Sequence, residues 1–137
     1  MGKKIAFIGA GSVVFTKTLL SDLMATPALA GVEYALMSRT MPKLERMTKF
    51  AKRMIEENNV DATVSHTLDR REAIQGADFV VVIFQIGGLD AYSFDYEVPL
   101  KYGVDQCIGD SLGPGGLFRC LRRSEEHTSE LQSLLII

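Results

Sequence analysis

The sequence predicts an α/β fold of the Rossmann-like, doubly wound type, with a parallel sheet. Short apolar runs alternate along the chain with stretches whose apolar residues recur at helical spacing. The run at residues 79–84 is continuously β-branched and aromatic, which is typical of a strand buried on both faces. The first apolar run ends in Gly9-Ala10-Gly11, and a helical pattern begins at once. This strand–turn–helix order is the context in which a glycine turn binds a dinucleotide.

Length and composition limit the class of protein. The 137 residues suit one domain, and 47% hydrophobic with 23% charged residues is ordinary for a soluble globular protein. A net charge of −2 gives no electrostatic reason to expect nucleic acid or a membrane as partner. No stretch approaches the roughly 20 apolar residues of a membrane helix, and we recognise no signal peptide. Cys107 and Cys120 are not spaced as a zinc or redox pair, so we expect reduced thiols and a cytoplasmic protein.

The first half of the chain predicts a helix, a strand and a second helix. Residues 13–26 have helical spacing, and the residue before Pro27 resists the α conformation, so the helix ends there. Residues 32–37 predict the second strand, and Pro42 suits the first turn of a helix that runs out at Asn59. The apolar residues that recur at helical spacing in the first helix are Phe15, Leu19, Leu20, Leu23 and Met24. We expect the second helix to bury a stripe formed by Leu44, Met47, Ala51, Met54 and Ile55.

The second half continues the alternation. Residues 62–65 predict a short third strand, and residues 70–75 predict one or two helical turns closed by Gly76. The fourth strand is the run at residues 79–84. A turn with several glycines and a proline at residues 107–119 then feeds another helix. Strands that alternate with helices in this way favour a parallel sheet.

The turn after the first strand has the residues that a pyrophosphate needs. Gly9 allows the tight turn, and Gly11 has no Cβ, so a phosphate can approach the backbone. The helix that begins near Val13 points its free N–H groups at the phosphates, and the Ser12 hydroxyl can add a donor. Val14 stands where the third glycine of the usual motif would be, but that glycine mainly serves packing. The alternative is a glycine turn in another kind of α/β protein.

Two further strand ends are candidates for contact with a cofactor. An acidic residue normally follows the second strand and binds the adenosine ribose, whereas Ser38-Arg39 follows it here and suits the 2′-phosphate of NADP. Gln85 and Gly87 follow the fourth strand, at the edge where ligands bind in open sheets, and are candidates to contact the nicotinamide ribose. The alternative there is a plain turn after a strand.

The turn at residues 107–119 contains the other candidate residue. Asp110 precedes the Gly-Pro-Gly-Gly stretch at residues 113–116. From the residues alone, Asp110 is either a functional carboxylate or the former of an Asx-type turn, and the two remain equally open.

Four motifs of the chain resemble glycoside hydrolase family 4, the NAD-dependent glycosidases. The resemblance covers roughly residues 3–122 and is most similar to the α-galactosidase branch. The motifs are Lys4-Ile5-Ala6-Phe7-Ile8-Gly9-Ala10-Gly11-Ser12, Ala77-Asp78-Phe79-Val80, Gln85-Ile86-Gly87-Gly88, and the stretch from Ile108-Gly109-Asp110-Ser111 to Phe118-Arg119.

This resemblance implies a hydrolase that cleaves O-glycosyl bonds of a small-molecule glycoside. NAD transiently oxidises C3 of the sugar, the leaving group is eliminated, water adds, and the hydride returns. The family also uses Mn²⁺ or another divalent metal and a tyrosine base, and the resemblance puts Asp110 near that base. The family's metal ligands and tyrosine lie beyond the residues of this chain, so we expect no metal site here. The chain then corresponds to the amino-terminal third of an enzyme that we expect to be a homo-oligomer.

The last residues resemble a translated short-read sequencing adapter at residues 123–133. We therefore expect a truncated NAD-binding domain at residues 1–122 and an artefactual tail at residues 123–137, which we leave out of the fold prediction. The alternative is a natural charged helix with an apolar end.

Two other functions fit parts of the pattern. A 2-hydroxy-acid dehydrogenase of the lactate and malate type shares the amino-terminal fold, but it would carry a substrate-binding arginine after the fourth strand. Residues 87–95 contain no arginine. A non-catalytic dinucleotide-binding module is the remaining alternative, and it would bind cofactor without turnover.

Overall fold

The computed structural model describes residues 2–83, 87–106 and 113–126, with side chains up to Arg122. These residues form two compact units, unit 1 within residues 2–83 and unit 2 within residues 87–126. None of the helices in these ranges is both long and apolar enough to span a membrane. The elements are β1 (Lys4–Ile8), α1 (Val13–Met24), a 3-10 turn (Pro27–Leu29), β2 (Val32–Met37), α2 (Met41–Asn58), β3 (Ala62–Thr67), α3 (Arg70–Ile74), β4 (Phe79–Val82), α4 (Gly88–Lys101) and α5 (Pro114–Glu126).

Unit 1 is built on a four-stranded parallel sheet in the order β3-β2-β1-β4. Ile8 at the end of β1 lies opposite Met37 of β2 and Val82 of β4, and Met37 lies opposite Thr67 of β3. Because these pairs are at the carboxyl ends of parallel strands, the loops that follow emerge at one edge of the sheet. The predicted Rossmann-like α/β fold is therefore confirmed.

The core of unit 1 lies between one face of this sheet and the helices α1 and α2. The rings of Phe7 and Tyr34, on neighbouring strands, have centroids 6.3 Å apart. The predicted apolar stripe of α2 is confirmed, with Met54 and Ile55 partly buried at its end. The fully or nearly fully buried residues of this core are Ile5, Phe7, Ala10, Leu20, Met24, Val32, Tyr34, Leu36, Leu44, Met47 and Ala51.

Helix α1 buries only some of the apolar residues that have helical spacing. Thr16, Leu20 and Met24 are buried, whereas Phe15 is 66% exposed and Leu19 is 37% exposed. Residues four apart share one helix face, so the row that begins at Thr16 faces the core and the row of Phe15 and Leu19 lies beside it. A threonine therefore occupies the core-facing row, and Phe15 and Leu19 lie outside it although they have helical spacing.

Strand β4 is less buried than predicted. Phe79 is 43% exposed, and the three valines that follow are only partly buried. Among the described strands only β1 pairs with β4, so β4 lies at an edge of the sheet. The prediction of a strand buried on both faces was wrong in this chain, because an edge strand has neighbours on one side only.

Asp78 fastens the start of β4 to the start of β1. Its carboxylate accepts the backbone N–H of Lys4 at 2.7 Å, and its own N–H donates to the Lys4 carbonyl at 2.9 Å. The Lys4 ammonium donates to the carbonyl of Gln75 at 2.9 Å. Asp78 therefore has a structural role, which the sequence analysis did not recognise.

Unit 2 packs α4 against α5 around a buried ion pair. The Asp95 carboxylate, 5% exposed, accepts two hydrogen bonds from the guanidinium of Arg122, one of them from Nη1 at 3.2 Å. Arg122 also donates to the carbonyl of Ala91 at 3.3 Å, and the Gln106 side chain donates to the Asp95 carbonyl at 3.0 Å. A Cβ on Gly115 would overlap both Gln106 and this carbonyl, so the helices approach too closely for any other residue. Arg122 thus belongs to the fold of unit 2.

Helix α5 continues to Glu126. Its last turn therefore enters the segment that the sequence analysis assigns to an artefactual tail, and residues 127–137 lie outside the described residues. The origin of residues 123–137 stays a prediction.

The hydroxyl of Tyr34 gives a test of this core. It finds no hydrogen-bond partner among the described residues, and burial raises the pKa of the phenol above its usual value of about 10. We predict that Tyr34→Phe raises the free energy of unfolding at pH 7 by up to about 1 kcal/mol, because an unpaired buried hydroxyl is removed. Above pH ~10 the unfolded wild type releases the phenol proton while the native state keeps it, so the wild type loses stability relative to Tyr34→Phe as the pH rises.

Urea unfolding of both proteins at pH 7 and pH ~10.5 measures this difference. A variant less stable than the wild type by more than about 1 kcal/mol at pH 7 would mean that the hydroxyl has a stabilising partner.

Candidate functional site

The turn after β1 is tied to the end of β2 by two hydrogen bonds. The backbone N–H groups of Gly9 and Ala10 both donate to the carbonyl oxygen of Met37, at 2.9 and 2.8 Å. Gly9 has φ +96°, in the region that favours glycine, so the tight turn needs this residue. The backbone thus makes its tight turn at Gly9, where the sequence predicted it.

Gly11 lies against two side chains of the next loop and helix. A Cβ on Gly11 would come within 2.9 Å of the Ser38 Oγ and 3.6 Å of the stem of Lys43. Because Gly11 has no side chain, the backbone of the turn can lie against Ser38 and Lys43, and we call this turn with its two neighbouring side chains the cradle. Such a cradle is what a pyrophosphate requires, since its oxygens must approach backbone N–H groups closely.

The start of α1 presents donors to this cradle. Ser12 is the N-cap residue, in an extended conformation, and its hydroxyl makes no capping hydrogen bond. Its carbonyl accepts the N–H of Thr16 at 3.1 Å, which closes the first helical turn. Val13 and Val14 are exposed, and the first turn has no acidic residue. The unpaired N–H groups and the dipole of this helix end favour an anion.

Ser38 and Arg39 lie at the carboxyl end of β2, next to the turn. Ser38 is 8% exposed, whereas Arg39 and Lys43 are exposed cations. Neither cation forms an ion pair with another residue that the structure describes. The electrostatic character of this side of the turn is therefore positive. Lys43 was missed in the sequence analysis, although its position in the first turn after Pro42 was a usable signal.

Unit 1 brings most of the predicted site residues together. Gly9, Gly11, Ser12, Val13, Ser38 and Arg39 surround the turn, as the sequence analysis expected. Of the other predictions, Gln85 and Asp110 lie outside the described residues.

Gly87 belongs to unit 2, where it is the N-cap of α4. It has φ +82°, and a Cβ there would overlap the Cβ of Ala91. The backbone of unit 2 therefore needs glycine at this position whether or not a ligand approaches it. Its predicted contact with a nicotinamide ribose remains a prediction.

Within residues 2–83, 87–106 and 113–122, no three His, Cys, Asp or Glu side chains are grouped so that they could hold a metal ion. Cys120 is an exposed free thiol.

Fold and turn together define a Rossmann-like α/β domain with a glycine turn after its first strand. Residues 4–127 match the sequence profile of family 4 glycosyl hydrolase. The chain therefore belongs to glycosyl hydrolase family 4, as its motifs predicted. This match favours the glycosidase prediction over the dehydrogenase alternative.

Relatives of known name share these residues. The chain is 44% identical over 114 residues to an alpha-galactosidase of Rhizobium meliloti (strain 1021), a match that covers 83% of this chain and 23% of the relative. It is 38% identical over 121 residues to an alpha-galactosidase of Bacillus subtilis (strain 168), covering 88% of this chain and 28% of the relative. The chain thus spans about a quarter of the length of these relatives. Other relatives are an alpha-glucosidase, alpha-galacturonidases and a 6-phospho-beta-glucosidase.

Solved structures have the same fold. The 6-phospho-beta glucosidase from Thermotoga maritima, solved with NAD and glucose-6-phosphate, superposes with a TM-score of 0.73 at 25% identity, over 95% of this chain and 31% of that chain. A second crystal structure of a 6-phospho-beta glucosidase from Thermotoga maritima, solved with manganese, NAD+ and glucose-6-phosphate, has a TM-score of 0.69 at 24% identity, over 96% of this chain and 32% of that chain.

The cradle at Gly11 can be tested by filling it. We predict that Gly11→Val lowers the affinity for a nicotinamide dinucleotide by about tenfold to a hundredfold, because the added side chain costs about 1–3 kcal/mol of crowding when the ligand is bound. Isothermal titration calorimetry of the chain with the dinucleotide measures the change.

Ala25→Val is the matched control. It also introduces a valine, at the exposed carboxyl end of the same helix, so it leaves the turn unchanged. Equal affinity of Gly11→Val and this control would contradict the assignment of the cradle.

Proposed function

We propose that the glycine turn of unit 1 binds the pyrophosphate of NAD, and that this chain is the cofactor-binding part of an enzyme that hydrolyses α-galactosides. The observation that carries the proposal is the attachment of Gly9 and Ala10 to the Met37 carbonyl, which places Gly11, a residue without a side chain, just before the start of α1. The structurally similar enzyme from Thermotoga maritima contains NAD, which supports the class of cofactor.

Each residue of the turn has a defined task in this proposal. Gly9 directs the chain away from β1, and Gly11 leaves space for two phosphates against the backbone. The Ser12 hydroxyl and the N–H of Val13 donate to phosphate oxygens at the positive end of α1. NAD, when bound, supplies the temporary hydride acceptor for C3 of the sugar that the family resemblance implies. The chain itself orients the cofactor.

The loops after the later strands complete the proposal. Gln85 and Gly87 follow β4, at the edge where ligands of open α/β sheets bind, so we assign them to the nicotinamide ribose. Asp110 is assigned to the sugar side, near the tyrosine base that the family resemblance implies. The residues that hold Mn²⁺ or another divalent metal are assigned to the part of the enzyme that this chain does not contain.

The proposed substrate rests on the two alpha-galactosidases, which are 44% and 38% identical over 114 and 121 residues; a probable 6-phospho-beta-glucosidase of Bacillus subtilis is 48% identical over a shorter stretch of 81 residues. An alpha-glucosidase of Erwinia rhapontici is 37% identical over 123 residues. Relatives in this family are thus named for several different sugars.

A substrate panel with the intact enzyme tests the proposal. We predict that the enzyme encoded by the intact gene hydrolyses 4-nitrophenyl α-galactoside in the presence of NAD, Mn²⁺ and a reductant, at least about tenfold faster than the α-glucoside. Omission of NAD or chelation of the metal removes the activity, and the 137-residue chain alone has none. Faster cleavage of the glucoside or of a 6-phosphorylated glycoside contradicts the substrate, and activity without NAD contradicts the mechanism.

Asp110 gives a second test in the same intact enzyme. We predict that Asp110→Asn lowers kcat by about tenfold or more and changes cofactor affinity little, because the carboxylate acts on the sugar side. The exposed Asp105, in the same connection between α4 and α5, provides the control Asp105→Asn. If both variants keep normal turnover, Asp110 is only a turn former.

A further inference from the structure

The inference concerns the ribose end of the dinucleotide site, and it rests on the function proposed above. We infer that Ser38, Arg39 and Lys43 form a binding site for a 2′-phosphate, so that this chain binds NADP at least as tightly as NAD. The chemical class that this site selects is an adenine dinucleotide with a phosphate on its adenosine ribose.

The fold fixes where this ribose lies. When a glycine turn after the first strand holds the pyrophosphate, the adenosine ribose lies at the carboxyl end of the neighbouring second strand. Here the Met37 carbonyl at that strand end accepts both N–H groups of the turn, so Ser38 is the first residue beside the cradle. The Ser38 Oγ is 2.9 Å from the position of a Cβ on Gly11, which places the hydroxyl at the rim of the cradle.

Ser38 is a polar side chain without a protein partner. It is 8% exposed, and its hydroxyl forms no hydrogen bond with another residue that the structure describes. Its oxygen is not among the fully buried atoms, so the hydroxyl is accessible at the rim of the cradle and is free to donate a hydrogen bond to a ligand there. A phosphate oxygen accepts such a hydrogen bond.

The charges around Ser38 select a phosphate over ribose hydroxyls. The residues after β2 are Ser38, Arg39 and Thr40, and the first acidic residue that follows is Glu45, on the exposed surface of α2. A carboxylate beside Ser38 would accept two ribose hydroxyls and repel a phosphate. Its replacement by serine and arginine removes that repulsion and supplies a fork of donors that matches a phosphate.

Lys43 and the amino-terminal end of α2 add positive charge beside Ser38 and Arg39. The Lys43 stem lies 3.6 Å from the position of a Cβ on Gly11, so its ammonium is tethered beside the cradle. The first turn of α2 contains no acidic residue, and its N-cap residue Thr40 makes no capping hydrogen bond. The positive end of this 18-residue helix therefore faces the same loop as Arg39 and Lys43.

A titration series with four probes separates this inference from the proposed function. The chain is titrated by calorimetry with NAD, NADP, 5′-AMP and adenosine 2′,5′-bisphosphate. We expect the bisphosphate to bind at least about tenfold more tightly than 5′-AMP, because hydrogen bonds to charged groups each contribute about 1.5–3 kcal/mol. We expect the affinity for NADP to equal or exceed that for NAD.

The outcomes are distinct. A preference for NAD of about a hundredfold overturns the 2′-phosphate site and leaves the proposed cofactor site intact. Binding of none of the four probes overturns both. Binding of NADP with no advantage of the bisphosphate over 5′-AMP also overturns the inference.

Variants then assign the residues. Arg39→Ala and Lys43→Ala should each lower the ratio of NADP affinity to NAD affinity by about tenfold, since each removes a charge-assisted contact. Ser38→Asp restores an acidic residue and should reverse the preference toward NAD. The control is Arg53→Ala, which removes an exposed arginine about 15 Å along α2 from Lys43. A ratio that Arg39→Ala and Arg53→Ala change equally would overturn the assignment.

Discussion

One carbonyl oxygen, that of Met37, determines the geometry of the candidate site. It accepts the N–H groups of Gly9 and Ala10, and so it couples the end of β2 to the turn after β1. This coupling sets the start of α1, the position of Gly11 and the distance from the turn to Ser38. The hydrogen bonds of parallel strands end here, and the backbone groups beyond the ladder are satisfied by the turn itself. The Met37 carbonyl therefore connects the pairing of β1 and β2 with the position of the turn that forms the candidate site.

Close packing of glycines recurs at the places where the family motifs lie. Gly11 faces Ser38, Gly87 faces Ala91, and Gly115 faces the carbonyl of Asp95, and at each of them a Cβ would crowd or overlap its neighbour. The same positions were first interpreted as sites of approach for a cofactor or as turn formers. The structure shows a second reason for glycine at these positions, namely that the fold leaves no room for a side chain there. In unit 2 the close approach of α4 and α5 at Gly115 accompanies the ion pair of Asp95 and Arg122, which fixes α4 against α5.

The sequence was sufficient for the alternation of strands and helices, for the parallel sheet and for the turn at Gly9, because these follow from local periodicity and backbone preference. The sequence was insufficient where the burial of a residue depends on which other elements pack against it. Phe15 and Leu19 have helical spacing, yet the core takes the row that contains Thr16. Phe79 has strand character, yet its strand lies at an edge. Lys43 was missed because its place beside Gly11 joins residues 32 positions apart, although its position in the first turn of α2 was a signal.

The edge position of β4 has a consequence for the handling of this chain. On the side away from β1, the strand carries backbone donors and acceptors with no strand partner among the described residues. Its sequence, Phe-Val-Val-Val, has high β propensity and no charge or proline. The ammonium of Lys3, 5.8 Å from the centroid of the Phe79 ring, is a nearby charge that opposes the approach of a second copy. A second copy that paired with this edge would extend the sheet, and salt would favour such pairing because it screens the charge of Lys3.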